Sequence, residues 1–181
     1  MEETTKSIIR IAIVGPECTG KSTLAEQLAD HYKTCYVPEY AREYIRKLKR
    51  PYTIDDIVTI SKGQMQLEDE LEAKANKILV CDTNLVVTKI WAEFKYKQIP
   101  AWIKENLIKR KYDLHLLTDI DTPWVEDPQR EHPHYREELF EIYHNELMAL
   151  KVSYSIISGK PEMRLRHSIE EIKGLLKNLR P

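Results

Sequence analysis

Gly15-Pro16-Glu17-Cys18-Thr19-Gly20-Lys21-Ser22-Thr23 decides how the rest of the chain is read. It follows the apolar run Ile8-Ile9-Arg10-Ile11-Ala12-Ile13-Val14 and leads into Leu24-Ala25-Glu26-Gln27-Leu28-Ala29-Asp30. A buried strand, a glycine-bounded loop and an amphipathic helix succeed one another with no spare residues. The nine residues fit the pattern G-x-x-x-x-G-K-[ST], a loop whose backbone N–H groups cradle phosphate. A chance match would lack the strand before and the helix after. Only five glycines occur in the chain, and two of them bound this loop.

At 181 residues the chain is expected to form one domain, residues 1–181, with a substantial core. A formal net charge of -1 gives no reason to expect nucleic acid or an anionic membrane as a partner. The N-terminal apolar run is short and broken by Arg10, so no secretory signal is read there, and no stretch reaches the length of a membrane span. Cys18, Cys35 and Cys81 show no CxxC spacing and read as free thiols in a reducing, cytoplasmic setting.

Outward from the loop, residues 7–14 are expected as the central strand of a parallel sheet covered on both faces. The helix after it places Leu24, Leu28 and Tyr32 on one face. Residues 34–38 form a second strand, ended by Pro38, and 39–48 a helix. Thr53 and Asp56 resemble a helix start, opening a long helix to about Ala75 with Ile57, Ile60, Met65 and Leu71 inward. Strands at 78–82, 112–118 and 153–158 alternate with helices at 85–96, 100–111 and 135–150, and a last helix ends near Leu179. The expectation is an α/β three-layer fold of the P-loop kinase type, a mostly parallel five-stranded sheet with helices on both faces. Residues 119–136, with three prolines and mixed charge, break the pattern and read as a functional loop, a candidate lid.

Within that frame Lys21 lies along the β/γ-phosphates of a nucleoside triphosphate, and the Ser22 hydroxyl coordinates Mg²⁺. Asp82 ends an apolar strand at the sheet's carboxyl edge, where ligands bind; it reads as a Mg²⁺-holding acid, or else as a helix cap. Glu39 occupies the same edge and could accept a proton from an acceptor hydroxyl, or merely complement a helix dipole. Arg42, one turn on, could anchor substrate. Arg130 and Arg136 are both candidates to bring positive charge to a transferring phosphoryl group. Trp124 could stack on an aromatic substrate or dock the loop on the core. His132 and His134 lack a third ligand, Asn76-Lys77-Ile78-Leu79 lacks the Asp of a guanine-reading string, and Arg46-Lys47-Leu48-Lys49-Arg50 reads as a solvated helix end.

The loop from Val14 to Leu24, Pro38-Glu39-Tyr40-Ala41-Arg42-Glu43-Tyr44, Cys81-Asp82-Thr83-Asn84 with Thr88-Lys89-Ile90-Trp91, and the run from Tyr112 through Asp127-Pro128-Gln129-Arg130 together resemble the ribosylnicotinamide kinase domain of NadR-type proteins. The resemblance spans nearly the whole chain. It implies ATP and Mg²⁺ as cofactors and phosphorylation of nicotinamide riboside at its 5′-hydroxyl. It implies a nucleotide side built from Gly15, the residues Glu17 to Thr23 and, in the last helix, Arg164. Its acceptor side falls on Glu39, Tyr40, Arg42, Asn84 and Trp124, with Asp82 as the strand-end acid and Arg130 as the lid arginine. For a cationic pyridinium ring, stacking on Tyr40, Trp91 or Trp124 is apt. Cys18 departs from the small hydroxyl residue common in this loop, and could be sensitive to oxidation. The chain length leaves no room for the adenylyltransferase and DNA-binding domains of multifunctional NadR proteins, and no HxGH string occurs, so a stand-alone kinase domain is expected. Kinase action on another small nucleoside-like metabolite, or a regulatory ATPase, are the alternatives.

Overall fold

Strand β1 (Ile9–Val14) sits at the centre of a parallel sheet, and its side chains show why. Ile11 and Ile13 point to one face and Ala12 and Val14 to the other, all fully buried, as the period of two requires when both faces are covered. The computed structural model describes residues 8–178. In sheet order the strands are β2 (Tyr36–Val37), β3 (Ile78–Asp82), β1, β4 (Leu114–Thr118) and β5 (Tyr154–Ile157). On the Ile11/Ile13 face pack α1 (Lys21–Tyr32) and α7 (Pro161–Asn178). On the Ala12/Val14 face pack α4 (Leu85–Tyr96) and α6 (Arg136–Ala149). The remaining helices, α2 (Tyr40–Lys47), α3 (Ile54–Glu72) and α5 (Ala101–Lys109), stand toward the β2 edge and over α4. The fold is thus a three-layer α/β domain of the kind anticipated.

Register places the strand ends together. Ile13 pairs with Asp82, Val14 with Leu117 and Val37 with Cys81, so Gly15, Glu39 and Asp82 emerge along one carboxyl edge. β2 is only two residues long, since Pro38 offers no donor to a ladder. Among the described residues, no helix is long and apolar enough to cross a membrane. Ser7 and Leu179, the outer bounds read for the first strand and the last helix, lie outside the described residues.

The start of α3 is as the sequence suggests: the Asp56 carboxylate accepts from the Thr53 backbone N–H at 2.7 Å. Its inner face is partly as expected: Ile57 and Ile60 are buried, at 0% and 1% exposure. Met65 and Leu71 are only half-buried, while Gln64 and Glu68 are buried. That face therefore carries polar groups among its apolar ones, with Leu71 packed against Val37, Leu79 and Cys81. Gln64 Oε1 accepts from Tyr40 N at 2.8 Å, and Glu68, 0% exposed, pairs with Arg110 at 2.8 Å and accepts from the Tyr112 hydroxyl at 2.9 Å. Arg10, the one charge in β1, is held by Glu72 at 2.6 Å in the same network. Burial pushes the Glu68 carboxyl above its usual 4.5, and Arg110 opposes the push.

Arg110→Ala strands the Glu68 charge. Removing one partner of a buried pair costs about 3–5 kcal/mol, so the urea midpoint should fall by the corresponding amount. The folded carboxyl then holds a proton that the unfolded chain has already released. Stability of the variant should therefore decrease as pH rises above 4.5, more steeply than in wild type. A pH-independent loss in urea titrations from pH 5 to 8 would contradict this assignment.

Candidate active site

The loop between β1 and α1 is shaped by what its backbone must avoid. Gly15 has φ +140°, and a Cβ there would lie 2.5 Å from Thr118 Oγ1 and 2.9 Å from Thr118 O. Gly20, at φ +78°, turns the chain into α1. Most carbonyls of the loop are taken. Lys21 Nζ donates to Gly15 O at 3.0 Å and Pro16 O at 2.7 Å. Cys18 O accepts from Thr122 Oγ1 at 2.7 Å and Arg136 at 3.2 Å, Thr19 O from Arg164 at 2.6 Å, and Gly20 O from Leu24 N at 3.0 Å. Thr19 Oγ1 lies 2.6 Å from Thr118 Oγ1 and 2.8 Å from Pro16 O. By contrast, among the described residues none accepts from the N–H groups of Gly20 to Thr23. Free donors at a helix N-terminus make an anion seat.

Two acids face that seat. Ser22 Oγ donates to Asp82 Oδ2 at 2.6 Å, and Asp82, 2% exposed, leaves its Oδ1 buried with no partner. The cap of α4 is Asn84, whose Oδ1 accepts from Val86 N at 3.0 Å, so the helix-cap reading does not apply to Asp82. Burial raises the Asp82 carboxyl above 3.8, against the Ser22 bond and the Lys21 charge. Glu39 stands at the N-cap of α2 but makes no capping bond; it lies 3.5 Å from Arg42. Burial raises it above 4.5; the Lys21 charge opposes the shift and the Asp82 charge adds to it. Desolvation pulls Lys21 down from 10.5. Ser22 and Asp82 offer hard oxygens of the kind Mg²⁺ takes, and the unpartnered Oδ1 is a ready ligand atom. Among the described residues no three His, Cys, Asp or Glu side chains converge, so a divalent ion here would rely on two protein oxygens plus phosphates and water.

A cavity of about 490 Å³ runs from the loop between α4 and α6. Ile90, Trp91 and Phe94 of α4 and Leu139 and Tyr143 of α6 form its apolar wall, and Glu39, Arg42 and Arg130 its polar side. The segment 119–135 lies against the loop. Glu17 Oε2 accepts from the N–H groups of Glu131 and His132, both at 3.0 Å, and Cys18 Sγ accepts from Val125 N at 3.2 Å. Arg42 reaches Asp127 of the same segment at 3.2 Å.

The residues singled out in the sequence divide accordingly. The residues from Gly15 to Thr23, with Glu39, Arg42 and Arg130, line the cavity, while Asp82 joins them through Ser22. Arg136 instead holds the carbonyls of Cys18 and Ile120. Arg164, 4% exposed, is engaged by Thr19 O, Asp119 O, Gly159 O and Asp121, bracing the loop from behind. Asn84, 0% exposed, is occupied by Val86 N and by His115 Nε2 at 3.2 Å. Tyr40 packs on Gly63, where a Cβ would lie 2.3 Å from its ring, and borders an outer groove. Trp124 donates to Glu126 at 2.9 Å and lies outside the cavity, its ring 6.0 Å from the guanidinium carbons of Arg130 and Arg136. Of the three aromatics considered for stacking, Trp91 lines the cavity. Phe94 and Tyr143 also line it, and the sequence does not mark them out because an apolar position on a helix reads as core; their spacing with Trp91 and Leu139 is the signal they leave.

Comparison with known proteins assigns the class first: the AAA domain family matches residues 10–164, and the chain belongs to that family. Among curated proteins, it is 30% identical over 126 residues to the trifunctional NAD biosynthesis/regulator protein NadR of Escherichia coli (strain K12). The alignment takes in 66% of this chain and 30% of NadR, so the chain spans about a third of that relative's length. The NadR of Salmonella typhimurium matches over the same extent. Among solved structures, NadR in complex with NR superposes with a TM-score of 0.80 at 23% identity, covering 93% of this chain and 51% of that one. Thymidylate kinase from Ehrlichia chaffeensis gives 0.64 at 12%, covering 92% and 99%. At these identities the likeness is one of fold, the P-loop kinase fold.

Gly15→Ala places a methyl inside Thr118 and should displace the loop. Binding of a fluorescent triphosphate analogue should weaken at least 100-fold while far-UV dichroism stays that of wild type. Undiminished binding would show that the loop tolerates the shift.

Proposed function

We propose that the chain is an ATP- and Mg²⁺-dependent kinase that phosphorylates nicotinamide riboside at its 5′-hydroxyl, giving nicotinamide mononucleotide in NAD salvage. The observation that carries the reading is one cavity lined at once by the phosphate-binding loop, by Glu39 and by the aromatic residues Trp91, Phe94 and Tyr143. NadR, the relative named above, has been crystallised with NR and, separately, with NAD and AMP-PNP. The three free cysteines suit a reducing cytoplasm.

Mg²⁺, held by Ser22 Oγ and the free Asp82 Oδ1, would neutralise charge on the β- and γ-phosphates. The chain's own groups supply the rest. N–H groups of Gly20 to Thr23 fix the phosphate oxygens. Lys21, whose ammonium group sits against the loop, adds positive charge beside the transferring group, and Arg130 adds more from the lid side. Glu39 accepts the proton of the attacking hydroxyl, and Arg42, anchored between Glu39 and Asp127, orients the ribose. Trp91, with Phe94 and Tyr143 nearby, gives a cationic pyridinium ring an aromatic wall. The segment 119–136 acts as the lid that excludes water.

Incubation with ATP, Mg²⁺ and a nucleoside panel should give stoichiometric ADP and nicotinamide mononucleotide. A different phosphorylated product would redirect the acceptor assignment, and slow hydrolysis indifferent to every acceptor would refute the kinase reading. Lys21→Ala should abolish transfer. Glu39→Gln should reduce kcat by roughly 10²–10⁴-fold with ATP binding retained. Because Glu39 must be ionised and burial raises its pKa, kcat/KM should fall as pH drops through a value above 4.5. That acid limb should be missing in Glu39→Gln.

A further inference from the structure

The hydroxyl of Tyr52 stands behind the cavity wall and is saturated. It accepts from Trp91 Nε1 at 3.0 Å and from Lys95 Nζ, and it donates to Glu131 Oε2 at 2.8 Å. Lys95 also pairs with Glu131 at 2.9 Å and sits 3.9 Å from the centre of the Tyr52 ring. Tyr52 therefore joins three parts of the chain that are far apart in sequence: the turn before α3, the helix α4 that carries Trp91, and the lid segment. The path continues beyond Glu131. Its own N–H donates to Glu17 in the phosphate-binding loop at 3.0 Å. A line of hydrogen bonds thus runs from the indole in the acceptor chamber, through Tyr52 and the lid, to the phosphate seat.

A tryptophan in a cavity wall can stack on a planar ligand only if its plane is held. The indole N–H is the single polar handle on that ring, and it is the atom that Tyr52 binds. The Tyr52 ring meets Trp91 edge-on, with centroids 4.9 Å apart and planes at 64°, so packing supports the hydrogen bond. Tyr52 does not itself line the 490 Å³ cavity. It borders the smaller cleft on the far side of Trp91, together with Lys95 and Glu131.

We infer that Tyr52 is a positioning residue for the acceptor: it fixes the plane of Trp91 and ties that ring to the seated lid through Glu131. It acts through Trp91 and touches no substrate. This rests on the kinase reading given above and adds to it a determinant for planar, aromatic acceptors. It also explains why one phenol oxygen serves both a helix of the wall and the lid. Closing the lid and aligning the ring are then one event.

Tyr52→Phe removes the oxygen and keeps the ring. The KM for nicotinamide riboside should rise about tenfold, with the KM for ATP changed less than twofold and kcat lowered less than threefold. In a Trp91→Leu background the same substitution should add nothing to the acceptor KM, since the two act in series. Additive effects, or equal rises in both KM values, would overturn the inference. A readout free of substrate separates this from the function itself. With Trp102 and Trp124 changed to Phe, Trp91 is the sole indole, and Tyr52→Phe should shift its emission maximum and lower its anisotropy. An unchanged spectrum refutes the positioning role whether or not nicotinamide riboside is phosphorylated; a shifted spectrum without any phosphorylation sinks the substrate assignment alone.

Discussion

Everything at the carboxyl edge depends on an asymmetry in one turn of backbone: the carbonyls from Gly15 to Gly20 are largely taken, and the N–H groups that follow are not. Buried peptide groups must be paired, so a loop can offer its donors to an anion only if its acceptors are satisfied elsewhere. Here the partners come from the whole chain. Lys21 serves the first two carbonyls, the segment after β4 serves Cys18, and Arg164 of α7 serves Thr19. This accounts for Arg164, a cation held at 4% exposure and engaged by Thr19 O, Asp119 O, Gly159 O and Asp121. Its work is to make the loop rigid from behind, and rigid donors need no reorganisation when charge arrives.

The same edge holds charge that is poorly solvated. Burial raises the acids Glu39 and Asp82 and lowers Lys21, so each is moved toward neutrality. Perturbed groups of opposite sign gathered in one cleft mark a functional site more often than a structural one. Their distribution is also ordered. Ser22 holds one oxygen of Asp82 and leaves the other open, whereas Glu39 makes no capping bond to α2 and has Arg42 3.5 Å away. The arrangement fits the roles proposed above, one acid for a cation and the other for a proton. The contrast follows from position: Asp82 ends a central strand, and Glu39 follows an edge strand shortened by proline.

Legibility in the sequence tracked how local the cause was. β1 and the glycine turn were readable because a continuous apolar run and two glycines specify both geometry and burial within fifteen residues. Glu39 and Asp82 were readable because a strand end fixes a residue's place on the sheet edge. The polar face of α3 was not, since periodicity shows which side of a helix is buried but not that Arg110 or the Tyr40 amide lies opposite. Asn84 and Trp124 illustrate the converse. Their residue types suit substrate contacts, yet one is occupied capping α4 and the other lies outside the cavity beside two arginines. The aromatic wall was hidden for a simpler reason: Phe94 and Tyr143 are apolar residues on helices, and a pocket lined by them has the same sequence pattern as a core.

In the proposed function the segment 119–136 and the loop part for ligands to exchange, and their contacts suit that need. Glu17 receives two backbone N–H groups, Cys18 receives one, and Arg42 reaches across to Asp127. Most of these bonds involve atoms near solvent, where each contributes about 0.5–1.5 kcal/mol net. A handful of such bonds is a small total to break, which fits the lid role proposed above. The thiol of Cys18 fits the same logic. As a weak acceptor it seats Val125 less firmly than a serine hydroxyl would, and its left-handed backbone, φ +55°, keeps the side chain turned toward the lid. The departure at Cys18 therefore bears on how the lid docks, and it leaves the donors that meet phosphate untouched.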